Sequence, residues 1–527
     1  MKVLVSDRIS QVGISNLEEK GIDVTYDIEL TYQELLEEIE KYDGIILRSM
    51  TPLNEEVLKR ATNLKVIARA GSGYDNIDVD AASKEGIIVL NTPGQNTISA
   101  AEQTMALMLA LSRNVPQAHN ALQKAVWNRN KYMGVELNSK TLGIIGLGRV
   151  GGNVSKRAKS FNMNVIAYDP YIPAKRGKKL GVELVDFEEL LKRSDFISLH
   201  TPLTEETHHI LSKEEFSKMK EQVRVINVAR GKNVDHAALY EAIKSGKVAG
   251  AALDVHEEEP INEDYSLLEL EEVILAPHLG GTTVEAMDNV SIDAAKQLLH
   301  VLLEERLPRT PLNVPVIKPT EMNLIKPYIK LGEKIGGFYS GWIGGRIEQV
   351  EVIYQGNIAK QDIEPVTTSL LKGLLNPILN ENVNLVNASL IARERGIEII
   401  ESRSETSNKY SSLITVKIKN NGTTKRISGT IFDEQDLRIV NIDNYGIDLI
   451  PEGSLLVTSH QDQPGIVGKV GTLLGENGIN IASMQLGRNK AGGDAVMVLN
   501  IDQEGGEKIE EKILEIDGML DVSIFTL

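Results

Sequence analysis

The sequence predicts an α/β protein with two consecutive doubly wound parallel sheets, followed by an α+β segment and a small βαββαβ domain. Short strands rich in β-branched residues alternate with helical segments from the first residue to about residue 285, an order typical of parallel sheets covered on both faces. A glycine fingerprint at 146–151 joins a strand to a helix, and the last 75 residues repeat strands and helices in βαββαβ order.

The two parallel sheets are predicted from separate sets of strands. The first set lies at 2–6, 44–48, 64–69 and 87–90, and a buried helix is expected at 99–111, where no helix breaker occurs. The second set lies at 141–146, 164–168, 196–200, 223–227, 249–254 and 273–275. We therefore expect one domain at 1–97 with 286–312, and a second domain at 98–285.

The remaining two-fifths of the chain are predicted to form two further domains. Prolines at 308, 311, 315 and 319 indicate a linker. Residues 313–451 form the α+β domain, with strands at 349–354 and 412–419, and they contain no catalytic constellation. Residues 452–527 place strands at 454–459, 479–485, 494–501 and 520–525 around helices at 466–476 and 507–514.

Composition excludes several classes of function. The 527 residues contain no cysteine, which excludes disulfides and thiolate metal sites, and we expect no metal. A net charge of −17 makes non-specific nucleic-acid binding unfavourable. The sequence shows no signal peptide and no apolar run long enough to span a bilayer. We therefore expect a cytoplasmic protein without a membrane or nucleic-acid partner.

The glycine fingerprint predicts a dinucleotide site. Gly146 permits a tight turn, Gly148 lets a pyrophosphate approach the backbone, and Gly151 permits close packing of helix on strand. Asp169 closes the next strand, where a carboxylate binds a ribose 2′-hydroxyl and repels a 2′-phosphate. The pattern favours NAD over NADP, with Lys175 and Arg176 as the nearby cations that would weaken this preference if they faced the site.

Three residues at predicted strand ends form a candidate catalytic set. Arg230 is suited to grip a carboxylate, His278 to move a proton, and Glu259 to orient that histidine. The carboxyl ends of parallel strands meet at one sheet edge, where open α/β sheets bind their ligands. The alternative is that these are ordinary surface charges. We expect the histidines at 208, 209, 256 and 300 to be ordinary surface or core residues.

These segments resemble the D-isomer-specific 2-hydroxyacid dehydrogenases over residues 1 to about 310. The resemblance rests on Gly-Ser-Gly-Tyr-Asp-Asn-Ile-Asp at 71–78, the glycine fingerprint, His-Thr-Pro-Leu-Thr-Glu-Glu-Thr at 200–207, and the segments that contain the candidate catalytic set. It implies that Arg230 binds the substrate carboxylate, that His278 takes the hydroxyl proton, and that Glu259 orients the imidazole and raises its pKa.

The resemblance also implies further cofactor-binding residues. Besides the glycines and Asp169 these are Ser72, Arg149, Val150, Thr201, Val228, Ala229, Asp254, Gly280 and Gly281. One departure is visible after Gly231, where the family usually carries small or apolar residues and an Asp-Glu pair. Here Lys232, Asn233, Asp235 and His236 stand instead.

A phosphorylated substrate is implied by cations in the first domain. Within the family the resemblance is strongest to enzymes that oxidise 3-phospho-D-glycerate to 3-phosphooxypyruvate with NAD, the first step of phosphorylated L-serine biosynthesis. It places Arg48, Ser49, Arg69, Gly71 and Gly73 at the substrate. Arg129 matches a position that reaches a neighbouring subunit, and Trp127 one packed at the subunit interface. The alternative is that these arginines form local ion pairs only.

The carboxy-terminal segment resembles an ACT domain, a module that binds amino acids between paired copies. His-Gln-Asp-Gln-Pro-Gly at 460–465 and Gly-Ile-Asn-Ile at 478–481 carry the likeness, which implies that His460, Asp462 and Asn480 contact L-serine. Some relatives have asparagine in place of Asp462. Residues 315–451 match the extra domain of long-form enzymes. We expect a dimer or tetramer; a purely dimerising ACT domain is the alternative.

Two other functions stay open from the sequence. A broader 2-oxoacid reductase, acting on 2-oxoglutarate or glyoxylate, would share the catalytic set but would not need three arginines in and near the first domain. A non-catalytic NAD-sensing scaffold, such as a corepressor, would not need Arg230, Glu259 and His278 together with an amino-acid-binding module.

Overall fold

The computed structural model describes residues 1–304, 307–315, 321–379, 383–407, 409–433, 435–502 and 506–527. The predicted linker is therefore described as far as Pro315, and Pro319 lies outside the described residues. Within these ranges no helix has the length and apolar character needed to cross a membrane.

The amino-terminal domain is built on a five-stranded parallel sheet with the order β2-β1-β3-β4-β5, which is the flavodoxin-like order. Its elements are β1 Lys2–Val5, α1 Gln11–Glu18, β2 Asp23–Tyr26, α2 Tyr32–Glu38, β3 Gly44–Leu47, α3 Glu55–Arg60, β4 Val66–Arg69, α4 Val79–Lys84 and β5 Ile88–Asn91. The four predicted strands are confirmed. β2 was not predicted because this edge strand is mostly exposed and lacks a buried apolar run.

The second domain contains a seven-stranded parallel sheet with the order β12-β11-β10-β9-β6-β7-β8. Its elements are α5 Thr97–Arg113, α6 Val115–Gln123, β6 Thr141–Ile145, α7 Arg149–Ser160, β7 Asn164–Tyr168, α8 Ala174–Leu180, β8 Glu183–Leu184, α9 Phe187–Arg193, β9 Phe196–Leu199, α10 Lys213–Lys218, β10 Val223–Asn227, α11 His236–Lys244, β11 Val248–Leu253 and β12 Val273–Leu275. The strand order reverses between β6 and β9, which pair with each other. Open α/β sheets bind ligands at this point.

A long helix, α12 Val284–Glu304, returns the chain to the first domain. Its buried face packs on α1 and on the strands of the first sheet, where Val290, Ala294 and Leu298 join the core. Residues beyond it stay there, since Leu312 donates its backbone N–H to Val89. We propose 1–97 with 286–312 and 98–285 as the domain bounds, which this packing supports.

The next domain mixes helices with a six-stranded sheet of order β14-β13-β15-β16-β17-β18. Its elements are α13 Met322–Trp342, β13 Ile347–Gly356, α14 Glu364–Leu375, α15 Ala388–Glu394, β14 Glu398–Ser404, β15 Ser412–Asn420, β16 Thr423–Phe432, β17 Asp436–Ile442 and β18 Tyr445–Leu449. β14 runs parallel to β13 and the other neighbours are antiparallel. The predicted α+β character is confirmed.

The carboxy-terminal domain has the predicted βαββαβ order and a sheet of order β20-β21-β19-β22. Its elements are β19 Ser454–Gln461, α16 Ile466–Glu476, β20 Ile481–Arg488, β21 Asp494–Ile501, α17 Glu507–Leu514 and β22 Met519–Thr526. The central strands β19 and β21 are buried on both faces, whereas the edge strand β20 is mostly exposed. Leu456 and Met497 pack under the two helices, whereas Leu455, Val457 and Val498 belong to the core of the preceding domain.

Glycines allow α13 and α14 to cross with their backbones in contact. A side chain on Gly336 would collide with the carbonyl oxygen of Leu370, and one on Gly373 with the carbonyl oxygen of Glu333. Because the obstacles are backbone atoms, a larger residue requires the helices to separate. The α+β domain therefore depends on these two glycines for its central helix pair.

Changing Gly336 to Ala should destabilise the α+β domain by about 1–3 kcal/mol, because the added methyl overpacks the helix crossing. Thermal unfolding followed by circular dichroism would measure the loss as a lower melting temperature. Gly475→Ala in α16 is the matched control, since an added Cβ there meets no atom within 4 Å. An unchanged melting temperature for Gly336→Ala would contradict the close crossing.

Candidate active site

The glycine loop between β6 and α7 has the geometry of a phosphate-binding turn. Gly146 has a positive φ of 92°, a conformation that glycine adopts without strain. A side chain on Gly151 would collide with the carbonyl oxygen of Gly146, so helix and strand pack closely only with glycine here. At Gly148 an added Cβ meets no atom within 4 Å. The loop therefore leaves open space before the first turn of α7, which no side chain caps.

Asp169 lies directly after β7 and is tied to the glycine loop. Its Oδ2 accepts the backbone N–H of Leu147 at 2.8 Å, and its Oδ1 accepts that of Tyr171 at 3.0 Å. Two of the other predicted cofactor residues lie near the same loop. Thr201 would contact a side chain placed at Gly146. Arg149 begins α7 directly after the loop, and its side chain lies near Gly94. Lys175 and Arg176 are exposed.

The turn after β10 fixes Arg230 by means of a buried asparagine. Asn227 ends the strand, accepts the backbone N–H of Ala229 at 3.0 Å and donates to the carbonyl of Arg230 at 2.8 Å. Val228 and Ala229 lie between them. The Arg230 side chain donates through Nη1 to the Ala229 carbonyl at 2.7 Å. The strand end and the guanidinium are thus held by one local network.

Arg230 reaches across to the first domain, where Asp75 is its partner. Nε of Arg230 donates to Oδ2 of Asp75 at 2.9 Å. Nη2 lies over Gly73, where any side chain would collide with it. Nε and one Nη1 proton are committed to these partners. The remaining protons of Nη1 and Nη2 have no partner among the residues that the structure describes, and they form a fork suited to a carboxylate.

Arg48, Arg69 and Arg230 form a cationic cluster at the ends of β3, β4 and β10. Burial, and then repulsion from Arg48 and Arg230, lowers the pKa of Arg69 to about 10, so it stays charged at neutral pH. The Nε groups of Arg48 and Arg69 are buried without a hydrogen-bond partner in the described part of the chain. Unsatisfied buried donors beside like charges create a site for an anion.

The loop that carries Arg48 is built on a buried carboxylate. Asp7 accepts the backbone N–H groups of Arg48 at 2.6 Å and of Met50 at 3.2 Å. Ser49 between them is exposed, and Gly71 makes room for the Arg69 guanidinium, with which a side chain would collide. Arg129 lies on an exposed segment and, within one chain, is not brought to this cluster.

Asp254, directly after β11, organises the loop that contains His278. Its carboxylate accepts the backbone N–H groups of Leu279 at 2.9 Å and Gly280 at 2.7 Å, and an amide N–H of Gln103 at 3.0 Å. The residue is fully buried, and burial raises its pKa despite these donors. Its backbone carbonyl accepts the N–H of His278 at 2.8 Å. Glycine is required at 280, since a side chain there would crowd Val228.

His278 and Glu259 are paired at the open edge of the second domain. Nδ1 of His278 lies 2.7 Å from Oε2 of Glu259, and the side chains are 42% and 36% exposed. Oε1 of Glu259 accepts the backbone N–H of His256 at 2.9 Å. Burial alone would raise the pKa of Glu259, but the hydrogen bonds from His278 and His256 outweigh it and the pKa is lowered. Nε2 of His278 has no hydrogen-bond partner within the described ranges and is open for a substrate proton.

Ser72 and Gly281 meet at the remaining side of the cleft through one asparagine. Oγ of Ser72 donates to Oδ1 of Asn96 at 3.0 Å, and Asn96 also lies against Gly281. The structure therefore brings these two predicted cofactor residues, from opposite domains, to one place. Thr201 contributes a buried Oγ1 without a partner among the residues that the structure describes.

Several residues of the site were not found by sequence reasoning. Asp7, Asp75, Gln103 and Asn227 act by supporting another residue, and isolated polar residues give no spacing signal. Asp75 belongs to the 71–78 motif, but the motif does not indicate that this residue pairs with Arg230. The strand ends did provide a signal for Asn227, which stands three residues before Arg230.

The predicted effector residues are not brought together within one chain. His460 pairs with Ala495 on β21, whereas Ile481, the neighbour of Asn480, pairs with Ile501. Six residues along a strand separate the two positions by about 20 Å. Asp462 is occupied by Arg488, whose Nη1 donates to Oδ2 at 2.9 Å and lowers the pKa of the carboxyl.

Family comparisons match three successive parts of the chain. The D-isomer specific 2-hydroxyacid dehydrogenase, NAD binding domain, matches residues 105–280. The D-3-phosphoglycerate dehydrogenase intervening domain matches residues 324–443, and the ACT domain matches residues 454–518. These matches agree with the second, third and fourth sheets of the structure.

Individual proteins are similar over the whole chain or over its first part. D-3-phosphoglycerate dehydrogenase of Archaeoglobus fulgidus is 45% identical over 100% of both chains, and that of Bacillus subtilis is 41% identical over 100% of this chain and 99% of its own. Among solved structures, the TT0316 protein of Thermus thermophilus is 36% identical with a TM-score of 0.55, covering 59% of this chain and 100% of its own. A glyoxylate reductase from Paecilomyes thermophila is 31% identical with a TM-score of 0.55, covering 59% and 98%. The chain belongs to the D-3-phosphoglycerate dehydrogenases, a branch of the D-isomer-specific 2-hydroxyacid dehydrogenase family.

Proposed function

We propose that the protein oxidises 3-phospho-D-glycerate to 3-phosphooxypyruvate with NAD, the first step of phosphorylated L-serine biosynthesis. The observation that carries this proposal is the cationic cluster beside the Glu259–His278 pair. Three guanidinium groups exceed what a single carboxylate requires, and a phosphate supplies the additional negative charge. The full-length relatives bear this activity in their names.

Arg230 binds the substrate carboxylate through its free fork. Asp75 holds the Nε edge and Gly73 leaves space beside Nη2, so the guanidinium is oriented before substrate arrives. Two parallel hydrogen bonds then fix the plane of the carboxylate. This places the C2 hydroxyl near the imidazole of the second domain, because Arg230 and His278 follow strands on either side of β11.

His278 removes the proton of the C2 hydroxyl through Nε2. Glu259 holds Nδ1 and stabilises the positive charge that the imidazole gains. In the reverse direction the same Nε2 returns the proton to the C2 oxygen. Because Nδ1 is already committed to Glu259, the ring presents only Nε2 to the cleft.

The residues around the glycine loop fit NAD. The space at Gly148 and the uncapped first turn of α7 suit a pyrophosphate, and Asp169 suits a ribose hydroxyl. The unpartnered Oγ1 of Thr201 provides one further polar contact. NAD, when bound, supplies the acceptor for the hydride that leaves C2. The chain's own residues hold both reactants and move the proton.

Arg48 and Arg69 bind the substrate phosphate. Their unpartnered Nε groups and their mutual repulsion are both relieved by a dianion. A 2-oxoacid reductase for an unphosphorylated acid is the alternative, and the solved glyoxylate reductase shares the catalytic fold. The buried arginines favour the phosphorylated acid over that alternative.

We propose that L-serine is an effector of the protein and that it binds between two associated copies of the chain. His460 and Asp462 lie at one end of the last sheet and Asn480 near the other, so a complete site requires a second copy. An exposed apolar surface formed by Val126, Trp127 and Met133 provides one surface for association, with Trp127 77% exposed. Arg129 lies on this same segment, and we propose that it reaches the neighbouring subunit's site.

Turnover of 3-phospho-D-glycerate and of 2-hydroxyglutarate, each followed as NADH formation with and without L-serine, tests the function. We expect a higher kcat/KM for the phosphorylated acid and a loss of rate as serine is added. Preference without inhibition would contradict the effector proposal alone. Turnover of 2-hydroxyglutarate only would favour the reductase, and no turnover of either acid would favour the scaffold.

Changing Arg230 to Ala should lower kcat/KM for the substrate by about 10²-fold or more, because the carboxylate loses its fork. Arg230→Lys should recover only part of this, since an ammonium cannot form two parallel bonds. Arg193→Ala is the control, because this half-exposed arginine pairs with Glu183 and Glu189 on the surface. Near-normal turnover of Arg230→Ala would show that another residue binds the carboxylate.

Changing Glu259 to Gln should lower kcat by roughly 10²- to 10⁴-fold, because the amide cannot stabilise the protonated imidazole. Steady-state kinetics would measure the loss, with Glu258→Gln as the control for charge in the same exposed run.

The lowered pKa of Glu259 means that its stabilising effect is complete above the ordinary carboxyl pKa and is lost as the pH falls through the lowered value. The difference in melting temperature between wild type and Glu259→Gln should therefore be constant near neutral pH and shrink in acid; a constant difference into strong acid would contradict the pairing.

A further inference from the structure

His256 contacts Glu259 directly and is linked to His278 through the carbonyl group of Ala276. Its backbone N–H donates to Oε1 of Glu259 at 2.9 Å, while its ring Nε2 lies 3.0 Å from the carbonyl oxygen of Ala276. The same carbonyl accepts the backbone N–H of His278 at 3.0 Å. His278 has a positive φ of 55°, so its backbone is in a conformation that neighbouring contacts must hold.

The ring of His256 is in turn fixed by a buried chain of polar groups. Its Nδ1 lies 3.3 Å from the hydroxyl of Tyr265, and that hydroxyl lies 2.8 Å from Nδ1 of His236. His236 and His256 are 2% and 8% exposed. His236 is also one of the positions where the chain departs from the residues that the family usually carries after the substrate-binding arginine.

The carbonyl group of Ala276 determines the proton positions along this series of polar groups. Ala276 can only accept, so Nε2 of His256 must carry a proton, and in the singly protonated ring Nδ1 is left to accept. Tyr265 then donates to His256 and accepts from Nδ1–H of His236. Burial lowers the pKa of His236 to about 4 and raises that of Tyr265, so a neutral ring and a neutral phenol meet at physiological pH.

We propose that His256 is a positioning residue, protonated at Nε2 by virtue of the Ala276 carbonyl and oriented by Tyr265 and His236, which sets the placement of Glu259 relative to His278. It does not touch substrate and is not a catalytic residue. The ring of His256 holds the backbone of His278 through the carbonyl group of Ala276, and the backbone N–H of His256 holds Oε1 of Glu259. The proposal rests on the dehydrogenase function proposed above.

Tyr265→Phe tests the proposal because it removes only the hydroxyl that orients His256. We expect kcat to fall about tenfold while KM for 3-phospho-D-glycerate and for NAD stays within twofold, since neither binding site is touched. Tyr240→Phe is the matched control on neighbouring α11, where the hydroxyl donates to Glu269 at 3.3 Å. Unchanged kcat in a folded Tyr265→Phe protein, or a proportional rise in KM, would overturn the proposal.

A double substitution separates positioning from general damage. His256→Phe keeps an aromatic ring but removes its donor, and should lower kcat by tenfold or more. If Tyr265 acts through His256, adding Tyr265→Phe to His256→Phe should cause little further loss. Equal losses from Tyr265→Phe in both backgrounds would overturn the proposal. Thermal melting of each variant distinguishes loss of fold from loss of positioning.

A spectroscopic readout does not depend on turnover. Two-bond ¹⁵N–¹H couplings of the nine histidines report which ring nitrogen carries the proton, and the His256 signals are identified by their loss in His256→Phe. We expect the proton of His256 on Nε2 in wild type, and a change in the ring signals of His256 in Tyr265→Phe, where the Nδ1 contact is lost. An Nδ1-protonated His256 would overturn the proposal. Absent turnover in wild type with the expected tautomer would instead count against the dehydrogenase function.

Discussion

The hydrogen bonds of one buried carboxylate determine the geometry of the acid–base site. Asp254 receives three N–H groups at its oxygens and the N–H of His278 at its carbonyl, so it joins β11, α5 and the loop after β12. A buried carboxylate is costly unless such donors surround it. The raised pKa shows that burial still outweighs them. The imidazole of His278 is therefore held at a fixed place, because its loop is hydrogen-bonded to Asp254 at three backbone N–H groups.

The cleft divides its chemistry between two domains. Cations for an anionic substrate come chiefly from strand ends of the first sheet, whereas the proton-transfer pair and the dinucleotide loop belong to the second. Arg230 is the exception, because its backbone belongs to the second domain whereas its side chain pairs with Asp75 of the first. A change in the angle between the domains would alter that contact directly. Substrate binding and domain closure are therefore linked through one guanidinium.

Sequence reasoning predicted the buried strands from short β-branched runs and the glycine loop from its spacing between a strand and a helix. It predicted Arg230 and His278 from their position at strand ends, and Asp254 from the family resemblance. The exposed strand β2 was missed because it has no apolar run. The roles of Asp75 and of His256 were missed because each acts by a contact between residues distant in sequence. His256 was expected to be an ordinary histidine, and only its partners distinguish it.

The sheet of the last domain determines how the chain can be divided into separately folding parts. Its central strands are covered by the domain's own helices on one face and by the core of the preceding domain on the other. A cut between residues 451 and 452 would uncover Leu455, Val457 and Val498 together with the core they complete. The last two domains therefore stabilise each other through one shared core, although each has its own sheet.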